Sequence, residues 1–186
     1  MKILKDISLI REVFQTIILG IAIFVILQVT IQPYKVEGSS MQPTMNSGDF
    51  VLVNKLIYWK LPFYESISSK FVFHPPRRGE LVIFDYPYDN SRKFVKRVIA
   101  GPGDTLEIKE GMVVVNSEAI NEPYVYHRSK ENYRPITVPR DSYFVLGDNR
   151  KNSQDSRSFG LVSSKNILGK ALISYWPISN LAVDLR

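Results

Sequence analysis

Covalent catalysis needs a nucleophile with a base beside it, and this sequence offers few candidates for either part. None of its 186 residues is cysteine. Thiolate catalysis, disulfides and cysteine-based zinc sites are therefore excluded. Among the serines one pair stands out. Ser39 and Ser40 lie between Gly38 and Pro43 in the run Val36-Glu37-Gly38-Ser39-Ser40-Met41-Gln42-Pro43-Thr44-Met45. A serine in such a turn ordinarily caps or shapes the backbone, and it becomes a nucleophile only with a base in hydrogen-bond reach. The sequence holds two histidines. His74 sits in a His-Pro-Pro-Arg-Arg turn and His127 in a polar stretch, and both read as surface residues. Lys96 is the other candidate. Its surroundings, Phe94-Val95-Lys96-Arg97-Val98-Ile99, read as a strand. Period-two alternation puts Lys96 on one face with Phe94 and Val98 and turns Arg97 the other way. On a buried face the ammonium loses hydration and its pKa falls, as a lysine base requires. On an exposed edge the same lysine only guards against strand-to-strand aggregation, and the local pattern by itself favours that plainer reading.

The elements that must position these residues begin with an anchor. Residues 13–32 carry no charge, and their centre is Ile, Leu, Val and Phe. As a helix this stretch spans about 30 Å, the thickness of a bilayer core. Pro33 is expected to stop it, which divides the chain into an N-terminus (1–11), a transmembrane helix (12–32) and a folded domain (33–186). Lys2, Lys5 and Arg11 precede the span and only Lys35 follows closely, so the N-terminus is expected in the cytoplasm and the domain outside it, at the plasma membrane. The apolar stretch is longer than a signal-peptide core, and no A-x-A-like site follows it. The length allows one domain plus this anchor. The net charge of +6 fits attraction to an anionic membrane surface. No basic stripe or groove-reading motif points to nucleic acid.

After the anchor the chain reads as strand. The segments 34–37, 50–54, 80–86, 93–100, 105–109, 112–115, 142–146 and 171–175 are short and rich in β-branched or aromatic residues, and turn residues such as Gly48-Asp49, Gly101-Pro102-Gly103-Asp104 and Gly147-Asp148-Asn149 separate them. The pattern predicts a mostly β, antiparallel domain, barrel-like in character. Residues 56–73 are dense in aromatics, which suits either a loop dipping into the membrane interface or a piece of core.

Five segments, in order behind the anchor, resemble the bacterial type I signal peptidases, the Ser–Lys leader peptidases. They are Gly38-Ser39-Ser40-Met41-Gln42-Pro43-Thr44-Met45, the run 48–55, the run 78–84, Val95-Lys96-Arg97-Val98-Ile99-Ala100-Gly101-Pro102-Gly103-Asp104, and Gly147-Asp148-Asn149-Arg150-Lys151-Asn152-Ser153-Gln154-Asp155-Ser156-Arg157. The resemblance implies an antiparallel β-sheet catalytic domain with a small β cap over 105–140. It implies that Ser40 attacks the scissile carbonyl and that a neutral, buried Lys96 is the general base. Ser153 would hold the Lys96 amine. Asp155 and Arg157 would pair in support, with Asp148, Arg97 and Arg150 in the same framework. The Ser40 backbone N–H would meet the oxyanion, with Gly38 standing where some members carry a serine. Val36, Met41, Met45, Phe94 and Val95 would line shallow pockets for small side chains at −1 and −3. The implied partners are preproteins with signal peptides, the bilayer and a nearby secretion translocon; no cofactor and no metal is implied. Two other readings stay open: a processing peptidase devoted to one pilin or conjugation substrate, and an inactive anchored assembly chaperone. The chaperone would be expected to lack the serine or the lysine. Self-cleaving Ser–Lys repressors share the chemistry, but they have no membrane anchor.

Overall fold

The computed structural model describes residues 2–59, 71 and 73–178. Helix α1 runs from Lys2 to Thr30. Its part Arg11–Thr30 has mean hydropathy 2.3 and buries nothing against the rest of the chain. An apolar helix of this length with no protein cover is suited to lipid. It ends at Thr30, short of the expected Gln32. Ile31 already pairs with Asn54, and Gln32 precedes Pro33, a position that sterically disfavours helical backbone. Pro33 is then accommodated on an edge strand, where its missing N–H costs no ladder bond.

Among the described residues eleven strands follow: β1 Ile31–Lys35, β2 Phe50–Asn54, β3 Leu81–Tyr86, β4 Asp89–Ala100, β5 Thr105–Lys109, β6 Met112–Val115, β7 Glu118–Ala119, β8 Tyr133–Thr137, β9 Ser142–Leu146, β10 Val162–Ser163 and β11 Ile167–Trp176. One turn of helix, α2 Ser156–Phe159, precedes β10. The strands form an antiparallel seven-stranded sheet, ordered β1-β2-β11-β3-β4-β9-β10, and a four-stranded sheet, ordered β7-β6-β5-β8. The fold is thus mostly β and antiparallel behind an N-terminal apolar helix.

The large sheet is covered on both faces around β3, which explains the unbroken apolar run Leu81-Val82-Ile83-Phe84. Leu81 and Ile83 pack with Val51, Val53, Met41 and Met45 on one side. Val82 and Phe84 pack with Val98, Val145, Tyr143 and Phe159 on the other. A third cluster joins the two sheets, bringing Ile99, Phe144 and Leu146 against Leu106, Ile108, Val113 and Val115. Here β5 and β6 bury alternate residues only, as a sheet with one solvated face must.

The aromatic segment 56–73 divides. Tyr58 is buried in the core, and its hydroxyl donates to Glu80 Oε2 at 2.6 Å. Trp59 and Phe73 are exposed. Residues 60–70 and 72, on which the interfacial-loop expectation rests, lie outside the described residues.

Candidate active site

Strand β4 positions Lys96. Val82 of β3 pairs beside it, and β9 joins on the other side only from Arg97 onward. Lys96 is 4% exposed, so the exposed-edge reading of its local pattern does not hold. Its Nζ lies 2.7 Å from Ser40 Oγ, donates to Val95 O at 3.0 Å, and stands 5.3 Å from the centre of the Phe94 ring. Burial pushes its pKa down to about 8, against a smaller opposing pull from the Asp155 and Asp148 carboxylates. At pH 7 about a tenth of the amine is then unprotonated, against well under a thousandth for an ordinary lysine, with its lone pair available to the Ser40 hydroxyl.

Ser40 is held from the other side by the loop after β9. Asn149 N donates to Ser40 O at 3.0 Å, and Asn149 Nδ2 donates to Ser39 O at 3.1 Å. The approach depends on Gly147: a Cβ there would fall 2.2 Å from Ser153 Oγ and 2.6 Å from Ser40 O. Gly38, at φ +89°, supplies the turn into the serine pair that glycine alone makes without strain.

Around this pair stand buried ion pairs. Arg97 meets Asp148 through two bonds, Nε to Oδ1 at 2.9 Å and Nη2 to Oδ2 at 2.7 Å. Its Nη1 donates to Gly79 O at 2.7 Å. Thr44 Oγ1 also donates to Asp148 Oδ2. Asp155 accepts from Arg157 Nε at 2.8 Å and Nη2 at 2.9 Å, and from Gly147 N at 3.0 Å. Arg150 pairs with Glu122, both buried, through Nη1 and Nη2. Nothing local in the sequence marks Glu122, because Asn121-Glu122-Pro123 looks like any surface turn.

A cleft of about 640 Å³ opens at Ser40 and Lys96. The large sheet bends so that β1 and the first half of β4, with three strands between them in the order, line the same cleft. Val36, Gly38, Met45, Phe94 and Val95 line it, as does the side of the serine pair. Met41 does not; it is buried in the cluster with Val36 and Met45. Ser153 Oγ is buried and makes no hydrogen bond to Lys96 or to any other described group. Among the described residues no group of three or more His, Asp or Glu side chains is placed to hold a metal.

The model of the signal peptidase family, peptidase S26, matches residues 9–176. The chain belongs to that family. Signal peptidase I of Leptolyngbya laminosa is 34% identical over 154 residues, 78% of this chain and 69% of the relative. Signal peptidase I P of Bacillus subtilis subsp. natto is 33% identical over 193 aligned positions, 97% of this chain and 96% of the relative. A crystal structure of a signal peptidase I from Enterococcus faecalis V583 is 32% identical and covers 52% of this chain and 97% of its own, with a TM-score of 0.46. Signal peptidases of this family are serine endopeptidases, and the apolar helix of this member fits membrane anchoring.

Proposed function

We propose that the chain removes N-terminal signal peptides from exported preproteins, cutting after small residues at −1 and −3, with Ser40 as nucleophile and Lys96 as general base. The observation that carries this reading is the 2.7 Å contact between Ser40 Oγ and a buried lysine amine. Ser40 Oγ attacks the scissile carbonyl carbon while its proton passes to Lys96 Nζ. The C–N bond then breaks, and the Lys96 ammonium returns the proton to the leaving amine. Water attacks the Ser40 ester as Lys96 takes its proton; the acyl C–O bond then breaks, Lys96 returns the proton to Ser40 Oγ, and the released signal peptide ends in a carboxylate. Asp148, Asp155 and Arg157 support the site by fixing the loop that holds Ser40.

The substrate lies extended in the cleft. The outer edge of β4 before Arg97 has no strand beside it among the described residues, so a peptide can add there and bond through its backbone. Val36, Met45, Phe94 and Val95, which line the cleft, would form the pockets for the small side chains at −1 and −3, and Gly38 places no side chain in the way of the substrate backbone. Met41 shapes the pocket from beneath. The anchor spans the bilayer with the N-terminus cytoplasmic, as Lys2, Lys5 and Arg11 favour, and keeps the cleft near the translocon exit where cut sites emerge.

The test uses the full chain in detergent and a preprotein carrying an A-x-A site, with mass spectrometry to locate the cut. The wild type should cut after the second small residue. Ser40→Ala and Lys96→Ala should each lose activity by about a thousandfold or more. Full-rate cutting by Lys96→Ala would overturn the Ser–Lys mechanism. A wild type that is inert on several preproteins would favour a narrow substrate or a non-enzymatic role.

A further inference from the structure

An acyl-transfer site is fast when fixed hydrogen-bond donors face the oxygen that becomes an anion. Under the reading above, the Ser40 N–H is one donor. Gly38 offers no side chain, and at φ +89° any other residue there would be strained. A second donor has to come from another residue lining the cleft.

Ser39 is such a residue. Its Oγ is four bonds from the Ser40 amide nitrogen, so the two are never more than about 5 Å apart. Both serines line the one cleft, so an oxygen bound to the Ser40 N–H on the Ser39 side of that amide meets the Ser39 hydroxyl as well. The direction of that hydroxyl follows from its partner. Asn152 Nδ2 donates to Ser39 Oγ at 2.7 Å. An amide nitrogen only donates, so this bond occupies a lone pair on Oγ and leaves the hydrogen to be given elsewhere. No described group accepts it. The residue is also clamped: Ser39 O accepts from Asn149 Nδ2 at 3.1 Å and from Gln42 N at 3.2 Å. One loop thus holds the carbonyl and the hydroxyl of Ser39 while Asn149 N holds the carbonyl of Ser40. A donor fixed in advance needs no reorganisation when charge develops.

We infer that the Ser39 hydroxyl, oriented by Asn152, is the second donor of the oxyanion hole. This rests on Ser40 being the nucleophile. Ser39 is then a catalytic residue, and Asn152 a positioning residue that acts through it.

The experiment measures kcat and KM on an A-x-A preprotein with the full chain in detergent. Ser40→Ala is the control. If the wild type cuts and Ser40→Ala does not, the nucleophile reading stands and the Ser39 variants alone decide this inference. If the wild type does not cut, the reading fails and takes the inference with it. Ser39→Ala should lower kcat about 10- to 100-fold with KM little changed, because the lost bond exists only in the transition state. Ser39→Thr keeps the hydroxyl and should keep most of the rate. Asn152→Ala should cost less than Ser39→Ala, and nothing further in the Ser39→Ala background. A Ser39→Ala kcat within about twofold of wild type, a loss confined to KM, or a Ser39→Thr as slow as Ser39→Ala would each overturn the donor role. Additive losses in the double variant would overturn the positioning role of Asn152.

Discussion

Lys96 and Arg97 are consecutive residues of β4, both carry basic side chains, and both are buried, at 4% and 1% exposure. Their surroundings differ in one respect. Arg97 meets the carboxylate of Asp148 through two bonds and a backbone carbonyl through a third. Lys96 has no carboxylate within ion-pairing distance among the described residues; its partners are a hydroxyl and a carbonyl. Burial with a fitted counter-charge keeps a cation charged and makes it part of the frame. Burial without one drives the cation toward its neutral form. Strand alternation sends the neighbours to opposite faces, so one strand carries both a structural and a reactive base.

The largest expected effect comes from removing the Arg97 guanidinium. Arg97→Ala strands the Asp148 carboxylate in the interior and should destabilise the detergent-solubilised chain by about 3–5 kcal/mol, read from denaturant unfolding. Arg97→Lys keeps the charge but cannot span both carboxylate oxygens and Gly79 O, and should fall between. An Arg97→Ala variant within about 1 kcal/mol of wild type would mean that Asp148 is hydrated and the pair is not part of the frame.

Lys96→Met should act with the opposite sign. A pKa pulled from 10.5 to about 8 by burial means that the folded chain binds fewer protons than the unfolded chain between those values. Wild-type stability therefore rises with pH across that window. Below pH 8 the full cost of burying the ammonium is present, about 3.5 kcal/mol at 1.4 kcal/mol per unit. The inactive Met variant should be more stable by about that much at pH 7, and the advantage should fade toward pH 10.5. An advantage that does not change with pH would assign it to packing and not to charge.

Much of this frame could be read from sequence, and the parts that could not share a cause. Strands 50–54, 105–109, 112–115 and 142–146 fall where their β-branched and aromatic residues between turn signals predict; in the first three one buried face also leaves a period-two signature, whereas 142–146 is buried on both faces. Strand β8 has little such signature: Tyr133-Arg134-Pro135-Ile136-Thr137 buries no residue fully, and its position is set by pairing with β5. β7 and β10, at two residues each, are too short to have a period. At the site, Ser40 and Lys96 stand out only through the family motifs, and neither the burial of Lys96 nor its contact with Ser40, 56 positions away, can be read from local pattern, because both are tertiary. Glu122 and the two clamping asparagines, Asn149 and Asn152, were missed as functional partners for the same reason. Their roles are tertiary contacts that no neighbouring residue announces.

The pH dependence of catalysis sharpens the contrast on the Lys96 side with a smaller effect. The base must be neutral, so log kcat/KM should rise by about one per pH unit below pH 8 and level off above it. A profile that is flat from about pH 6 to 9 would show that the free enzyme holds Lys96 neutral by stronger desolvation than its surroundings here provide.

The smallest effect tests the one implied support for the lysine that makes no bond. Ser153 Oγ is buried without a partner, although Gly147 brings it close to the carbonyl of Ser40. A buried hydroxyl with no partner costs about 1–3 kcal/mol relative to its hydrated state. Ser153→Ala should thus leave stability unchanged or raise it by about 1 kcal/mol. If Ser153 holds the Lys96 amine once substrate closes the cleft, the same variant should lower kcat while the melting temperature stays level or rises. Stability and activity moving in opposite directions is the signature of a group kept for function at a structural cost. A fall in both would mean that the hydroxyl is already bonded in the resting enzyme, and no change in either would remove Ser153 from the site.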